Sequence, residues 1–223
     1  FGPTDEIGVF EMREEGLVGI SDPSHVFIQQ RPSGSGPVSG SCVALVVEGT
    51  RSLAVEVQAL ATASSLASPR RVANGVEMSR VHMITAVLAK HMRLPVSNHD
   101  LVISVTGGLD INEPAADLAI ALAVASSMMD RPVDETVAVA GEIGLSGELR
   151  SVPRADRRVA EAARLGFASC IISDAVADAG KVDLLKVVRP ANIAEAVRLA
   201  LKLADGAAGA GSGASSSGVR SSM

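Results

Sequence analysis

Apolar positions in this chain change period along its length. Cys42 to Glu48 (CVALVVE) and Leu53 to Leu60 (LAVEVQAL) are short apolar runs separated by Gly49-Thr50-Arg51, the pattern of an antiparallel hairpin. From Met78 to Met92 the period lengthens. Met78, Val81, Thr85, Leu88 and Met92 trace one face of a helix. Leu101 to Thr106 (LVISVT) reads as a buried strand that leads through Gly107-Gly108 into a helix from Glu113 to Met129. Asn112 suits the N-cap of that helix and Pro114 its first turn. It is apolar nearly all round, so it belongs at the centre of the fold. Strands follow at Val137 to Gly141, Ala168 to Ile172 and Leu184 to Val188, with helices at Arg154 to Leu165 and Ile193 to Leu203. Ile7 to Met12 alternates like a strand, and Gly16 to Val26 is turn-rich. Alternating strands and helices after residue 78 predict a mixed α/β domain.

Soft stretches divide the chain. Arg31 to Ser41 is rich in Gly, Pro and Ser, and Asp205 to Met223 has almost nothing to bury. The expected organisation is an N-terminal segment and linker over residues 1–40, a domain over 41–204 and a disordered tail over 205–223. The longest strongly apolar stretch, Ala115 to Met129, is shorter than the roughly 20 residues a membrane span needs.

Composition removes several function classes. Only 2% of residues are aromatic, which disfavours a surface that stacks bases on rings. A net charge of −5 excludes a wholly cationic surface, though not a local basic patch. Cys42 and Cys170 lie in separate apolar runs and read as buried, reduced thiols. No CxxC pair is present, so no zinc site of that type can be built. There is no GxxxxGK[ST] loop, and Gly107-Gly108 reads as a tight turn rather than a phosphate cradle.

Two stretches carry more information, GGLDINEPAADLAIALA (107–123) and GEIGLSGELRSVPRADRRVAEAARLGF (141–167). Together they resemble the proteolytic domain of the Lon family. That resemblance implies a mixed sheet with helices, of the type also found in ribosomal protein S5 domain 2. It also implies a serine–lysine dyad. The serine position falls on Ala115, and the lysine position on Arg157 or Arg158. Alanine has no nucleophile, and arginine stays protonated and accepts no proton. No lysine lies between Lys90 and Lys181. The dyad is therefore absent and no catalytic residue is assigned. Ser126 and Ser127, on the apolar helix, read as packing hydroxyls.

FGPTDEIGVFEMREEGL (1–17), PRRVANGVEMSR (69–80) and the two stretches above, in that order, resemble the C-terminal part of the RadA/Sms DNA repair family. Members carry a zinc finger, a RecA-like ATPase, a KNRFG motif and a Lon-like domain. Phe1-Gly2 matches the end of that motif. The resemblance implies that zinc and ATP belong to a part preceding Phe1, so this segment has no cofactor of its own. The parent would be a DNA-dependent ATPase that drives branch migration. It further implies non-sequence-specific DNA binding, a homo-oligomeric, hexameric ring in the parent, recombination proteins as partners, and no membrane. A bacterial cytoplasm and a DNA-containing organelle are equally compatible with it.

The residues that speak for DNA are Arg70, Arg71, Arg80, Lys90 and Arg93, against the single acid Glu77, over 69–93. Arg70 and Arg71 are expected on a loop before the helix. Arg80 and His91 are three turns apart and share one azimuth of it. An ordinary solvated helix face is the alternative reading. A second group, Arg150, Arg154, Arg157, Arg158 and Arg164, is interspersed with Glu142, Glu148, Asp156 and Glu161, which predicts salt bridges. The sequence therefore points to a non-enzymatic, DNA-binding Lon-like scaffold. Its rivals are a Ser-Lys peptidase with a displaced dyad and a pure oligomerisation module.

Overall fold

The computed structural model describes residues 10–13, 16–20, 22, 24–28, 38–173 and 185–210. Two strands, β1 (Phe10–Arg13) and β2 (Gly16–Gly19), pair antiparallel as a separate hairpin. A single helical turn, α1 (Ser24–Phe27), follows. The body begins with β3 (Ser41–Glu48) and β4 (Arg51–Ala63), the hairpin expected from their apolar runs. Next come β5 (Arg71–Asn74), α2 (Met78–Met92) and β6 (His99–Val105). They form a parallel crossover, with β5 hydrogen-bonded to β6.

A 3-10 turn at Pro114–Ala116 precedes α3 (Asp117–Met129). Then follow β7 (Val137–Ala140), the small pair β8 (Glu142–Ile143) and β9 (Leu149–Arg150), and α4 (Ala155–Arg164). The chain continues through β10 (Ser169–Ile172), β11 (Lys186–Val188) and α5 (Ile193–Ala210).

Among the described residues, the main sheet runs in the order β11-β10-β7-β3-β4-β6-β5. It is parallel from β11 to β3, antiparallel across β3, β4 and β6, and parallel again at β5. This is the mixed α/β class that the alternating elements predict. α3 packs on one face of the sheet, flanked by α2 and α5, and every residue from Asp117 to Ser126 is buried. α4 and α1 cover β3 and β4 on the other face. Both cysteines are free and buried, and burial pushes each thiol up to about 12.

Four expectations need correction. Asn112 caps no helix, because the backbone first makes the 3-10 turn and α3 starts after Ala116. Arg71 lies on an edge strand, not a loop. The last helix runs past Asp205 to Ala210; residues 211–223 lie outside the described ones. The turn-rich stretch after Gly16 contains β2 and α1. α1 is docked on the body. Ser24 Oγ accepts from Ala54 N at 3.1 Å and donates to Glu161 at 3.0 Å. Asp22 takes two hydrogen bonds from Arg164. Phe27 is buried over Gly107, whose φ of +81° and a ring atom 2.5 Å from any added Cβ leave room only for glycine. Gly107-Gly108 is thus a tight turn shaped by a ring.

Candidate nucleic-acid interface and the buried ion pairs behind it

The position matched to a nucleophile is closed. Ala115 is 1% exposed, and its carbonyl accepts from Gly141 N at 2.9 Å. Beside it, Glu113 and Arg158 form a two-pronged pair, with Arg158 Nη1 and Nη2 donating to the two carboxylate oxygens at 2.9 and 2.7 Å. Arg158 is 1% exposed and donates two further hydrogen bonds, to the carbonyls of Leu45 (2.5 Å) and Pro153 (3.0 Å). Glu113 also accepts from Val47 N at 2.6 Å. Planar guanidinium, two carboxylate oxygens and two carbonyls make a largely buried network of four hydrogen bonds. It ties α4 to β3 and to the turn that starts α3. Arg157 is exposed and donates to the carbonyl of Thr50 at 3.0 Å. Arg154 reaches the carbonyl of Gly49. Of the two arginines left open by the sequence, Arg158 is the one that points into the region of Ala115.

The five cations of 69–93 do not form one surface. In a parallel crossover the helix runs back from the end of one strand to the start of the next, so its two ends lie at opposite ends of the strands. Arg80 sits at the start of α2, about 15 Å along the axis from Lys90. Its Nη1 donates to Asp117 Oδ1 at 2.7 Å. Asp117 is fully buried and also accepts from Ile143 N at 3.3 Å. Burial pushes the Asp117 carboxyl up, and Arg80 acts against that shift. Arg80 is therefore the counter-ion of a core carboxylate. His91, on the same azimuth, is also turned inward, its Nε2 3.1 Å from the carbonyl of Leu145. Gly147, with φ +80°, packs on its ring, where an added Cβ would lie 3.1 Å away. That azimuth faces α3 and the β8–β9 turn, not solvent.

Arg70, Arg71, Lys90 and Arg93 gather at the other end, where β5 begins and α2 stops. Arg71 donates to the carbonyls of Arg70 (3.0 Å), Val96 (2.7 Å) and His99, and so braces the Val96–His99 turn. Arg70 is exposed, and its backbone N donates to Asp100 Oδ1 at 2.6 Å. That bond, with Ser64 and the two arginines, holds the Asp100 carboxyl below its usual range. Lys90 and Arg93 are exposed at the C-terminal end of α2, with Arg93 in the left-handed region at φ 54°. The exposed cations of this end are Arg70, Lys90 and Arg93.

The second basic group forms in part the salt bridges its mixed signs predict. Arg150 pairs with Glu148 and Glu142, and Arg164 with Glu161 and Asp22. Arg154 and Arg157 meet carbonyls instead, and Arg158 pairs with Glu113, which lies outside that group; their separation of 45 residues gives no local signal. Ser126 and Ser127 pack as expected. Their hydroxyls accept from Gly40 N and Ala61 N, each at 2.9 Å, and pin α3 to β4 and the start of β3.

Comparison with known proteins places the chain. A family model described as subunit ChlI of Mg-chelatase matches residues 51–175. Curated relatives named DNA repair protein RadA include one from Bacillus subtilis, 45% identical over 202 residues, covering 90% of this chain and 43% of the relative. The one from Escherichia coli is 45% identical over 172 residues, covering 77% of this chain and 37% of the relative. The Mycobacterium tuberculosis protein is 42% identical over 172 residues, covering 77% of this chain and 35% of the relative. The chain spans about two-fifths of the length of these relatives.

Proposed function

Since this chain belongs to the family described as subunit ChlI of Mg-chelatase, we propose that it is the non-catalytic, DNA-contacting scaffold of a DNA repair and recombination protein like the RadA relatives. The repair role comes from the relatives' names. Branch migration, a RecA-like ATPase with its ATP, a zinc finger and ring assembly come from the resemblance, and all belong to the same proposal. The observation that carries the non-catalytic part is the Glu113–Arg158 network beside Ala115. A guanidinium held by four acceptors is a fixed cation, with neither a free lone pair nor room to move.

The observation that favours DNA contact is the exposed Arg70, Lys90 and Arg93 at one end of an otherwise acidic chain. Such a patch meets phosphates and reads no bases. Its affinity per domain is expected in the range of about 10⁻⁴ to 10⁻⁶ M typical of non-specific contacts. Neutralising three phosphates gives log K a slope against log salt of about −2.7. The test is fluorescence anisotropy on labelled duplexes over a salt series, with the parent and the triple variant Arg70→Glu, Lys90→Glu, Arg93→Glu. The variant is expected to lose affinity for every sequence and to flatten the slope. A variant that binds like the parent at every salt concentration refutes this patch.

A further inference from the structure

The cationic end of α2 and β5 holds a further residue, one whose charge depends on pH. His99 opens β6, on the turn that carries the chain from the end of α2 into that strand. Its ring Nδ1 lies 2.8 Å from the carbonyl oxygen of Pro95, in a solvent-exposed contact. A carbonyl only accepts, so Nδ1 carries a hydrogen in every state of the ring that keeps this bond. The titrating proton therefore belongs to Nε2. Neutral, Nε2 has a lone pair and nothing to offer a phosphate. Protonated, it is a charged donor.

The turn around the ring is held in place. The Val96 carbonyl accepts from the His99 backbone N–H and from Arg71 Nη2, and Arg71 Nη1 donates to the His99 carbonyl. Asn98 donates its N–H to Pro95 at 3.1 Å and accepts from Ser64 N at 2.9 Å. In register, His99 stands beside Ala63 at the end of β4. A residue ordered in advance gives up little freedom on meeting a ligand.

The charges around His99 are mostly positive. Arg70 and Arg71 lie at the start of β5, and Lys90 and Arg93 at the end of α2, with Arg93 two residues before Pro95. His91 is committed to the Leu145 carbonyl. Over 61–71 and 90–100 the one acid is Asp100. It follows His99 in β6, so strand alternation turns it to the other face. It accepts the Arg70 backbone N–H and is held below its usual range, so it stays ionised where a histidine titrates.

We propose that His99 is a further phosphate contact of the DNA patch and makes its affinity proton-dependent. DNA binds more tightly as pH falls from about 8 to about 6, with one proton taken up at Nε2. This rests on the reading of Arg70, Lys90 and Arg93 as that patch. A phosphate beside the ring favours the protonated form, and by reciprocity the proton favours the phosphate by the same factor. At a solvent-exposed site that factor is expected to be about three- to tenfold. A fourth neutralised phosphate also steepens the slope of log K against log salt by about 0.9, from about −2.7 to about −3.6.

The test is fluorescence anisotropy on a labelled duplex over a salt series at about pH 8 and about pH 6, with the 223-residue chain. Three single variants accompany it, and circular dichroism melts at both pH values check that each folds. His99→Gln is expected to bind at both pH values as the parent does at the higher one. His99→Lys, charged throughout, is expected to bind at both as the parent does at the lower one. His82→Gln, an exposed position near the start of α2, is expected to keep the parent's response. A parent whose affinity and slope do not change with pH overturns the proposal. So does a His99→Gln protein that keeps the rise, or a His99→Lys protein no tighter than the parent at the higher pH. If binding is independent of pH yet lost in the triple variant of Arg70, Lys90 and Arg93, the patch stands and this contact alone falls. A triple variant that binds like the parent refutes the patch and this contact with it.

Discussion

Replacing Arg158 with methionine tests whether the buried pair holds the scaffold together. The change keeps most of the side chain's volume and removes its charge. It strips Glu113 of two hydrogen bonds and Leu45 and Pro153 of one each, while Val47 N remains on the carboxylate. Arg158 is 1% exposed and the Glu113 side chain 23%, so water restores little. Breaking a buried pair by removing one partner costs about 3–5 kcal/mol, because the other charge stays behind uncompensated. Four lost hydrogen bonds at about 1 kcal/mol each give the same order. At about 2–4 °C per kcal/mol for a domain of this size, the melting temperature is expected to fall by about 6–20 °C. Changing Glu113 to methionine as well removes the stranded charge and is expected to recover much of that loss, since apolar replacement of a buried pair is often nearly neutral. Urea unfolding of the parent, both single variants and the double variant closes the cycle, with an expected coupling energy of at least about 2 kcal/mol. An Arg158→Met protein that melts with the parent, or a double variant whose loss is the sum of the singles, refutes the assignment of this pair as a structural clamp.

Two further outcomes follow from the same geometry. The chain is expected to remain unlabelled by a fluorophosphonate probe and to leave casein intact, because Ala115 offers no nucleophile; reproducible labelling at any serine reopens the peptidase reading. Asp100 is held below its ordinary carboxyl pKa of 3.8, chiefly by the Arg70 backbone N–H. A depressed pKa contributes stability above the unfolded value and loses it as pH falls toward the folded one. The gap in urea stability between the parent and Asp100→Asn is therefore expected to narrow as pH drops from neutral to below 3.8, and a constant gap contradicts it.

The parts of the fold legible in the sequence are those in which local pattern and tertiary packing ask for the same thing. The offsets of Val81, Thr85 and Leu88 mark a helix because that face is the one buried against α3, and its bounds come out at Met78 and Met92. The all-apolar 118–125 stretch is central for the same reason. Where the two disagree, the sequence misleads. β5 is four residues beside Gly75, too short to display alternation, and exists because β6 offers a pairing edge. Asn112 is a good cap by type, yet Glu113 is drawn out in an extended conformation by Arg158 and Val47, so the helix starts later. The glycines after Asp205 suggest a tail, but α5 runs on to Ala210, and the alanines around Gly206 favour continuing the helix.

The candidate site was legible in charge and illegible in commitment. Counting cations over 69–93 treats Arg70, Arg71, Arg80, Lys90 and Arg93 as equivalent, and nothing local separates them. What separates them is partners far away in sequence. Asp117, 37 residues on, takes Arg80 into the core, and the carbonyls of Val96 and His99 take Arg71 into a turn. The crossover then sets the two ends of α2 at opposite ends of the strands, so an apparent five-residue patch becomes three exposed cations and two structural ones. The same rule explains why the arginine facing Ala115 could not be chosen from spacing. Arg157 and Arg158 are neighbours on one helix, but about 100° of helical rotation sends one to the Thr50 carbonyl at the surface and the other to a buried carboxylate. A guanidinium is read as functional or structural by counting the acceptors around it. By that count Arg158, held by four acceptors, is structural, and the exposed Arg70, Lys90 and Arg93 are the side chains still able to meet a phosphate.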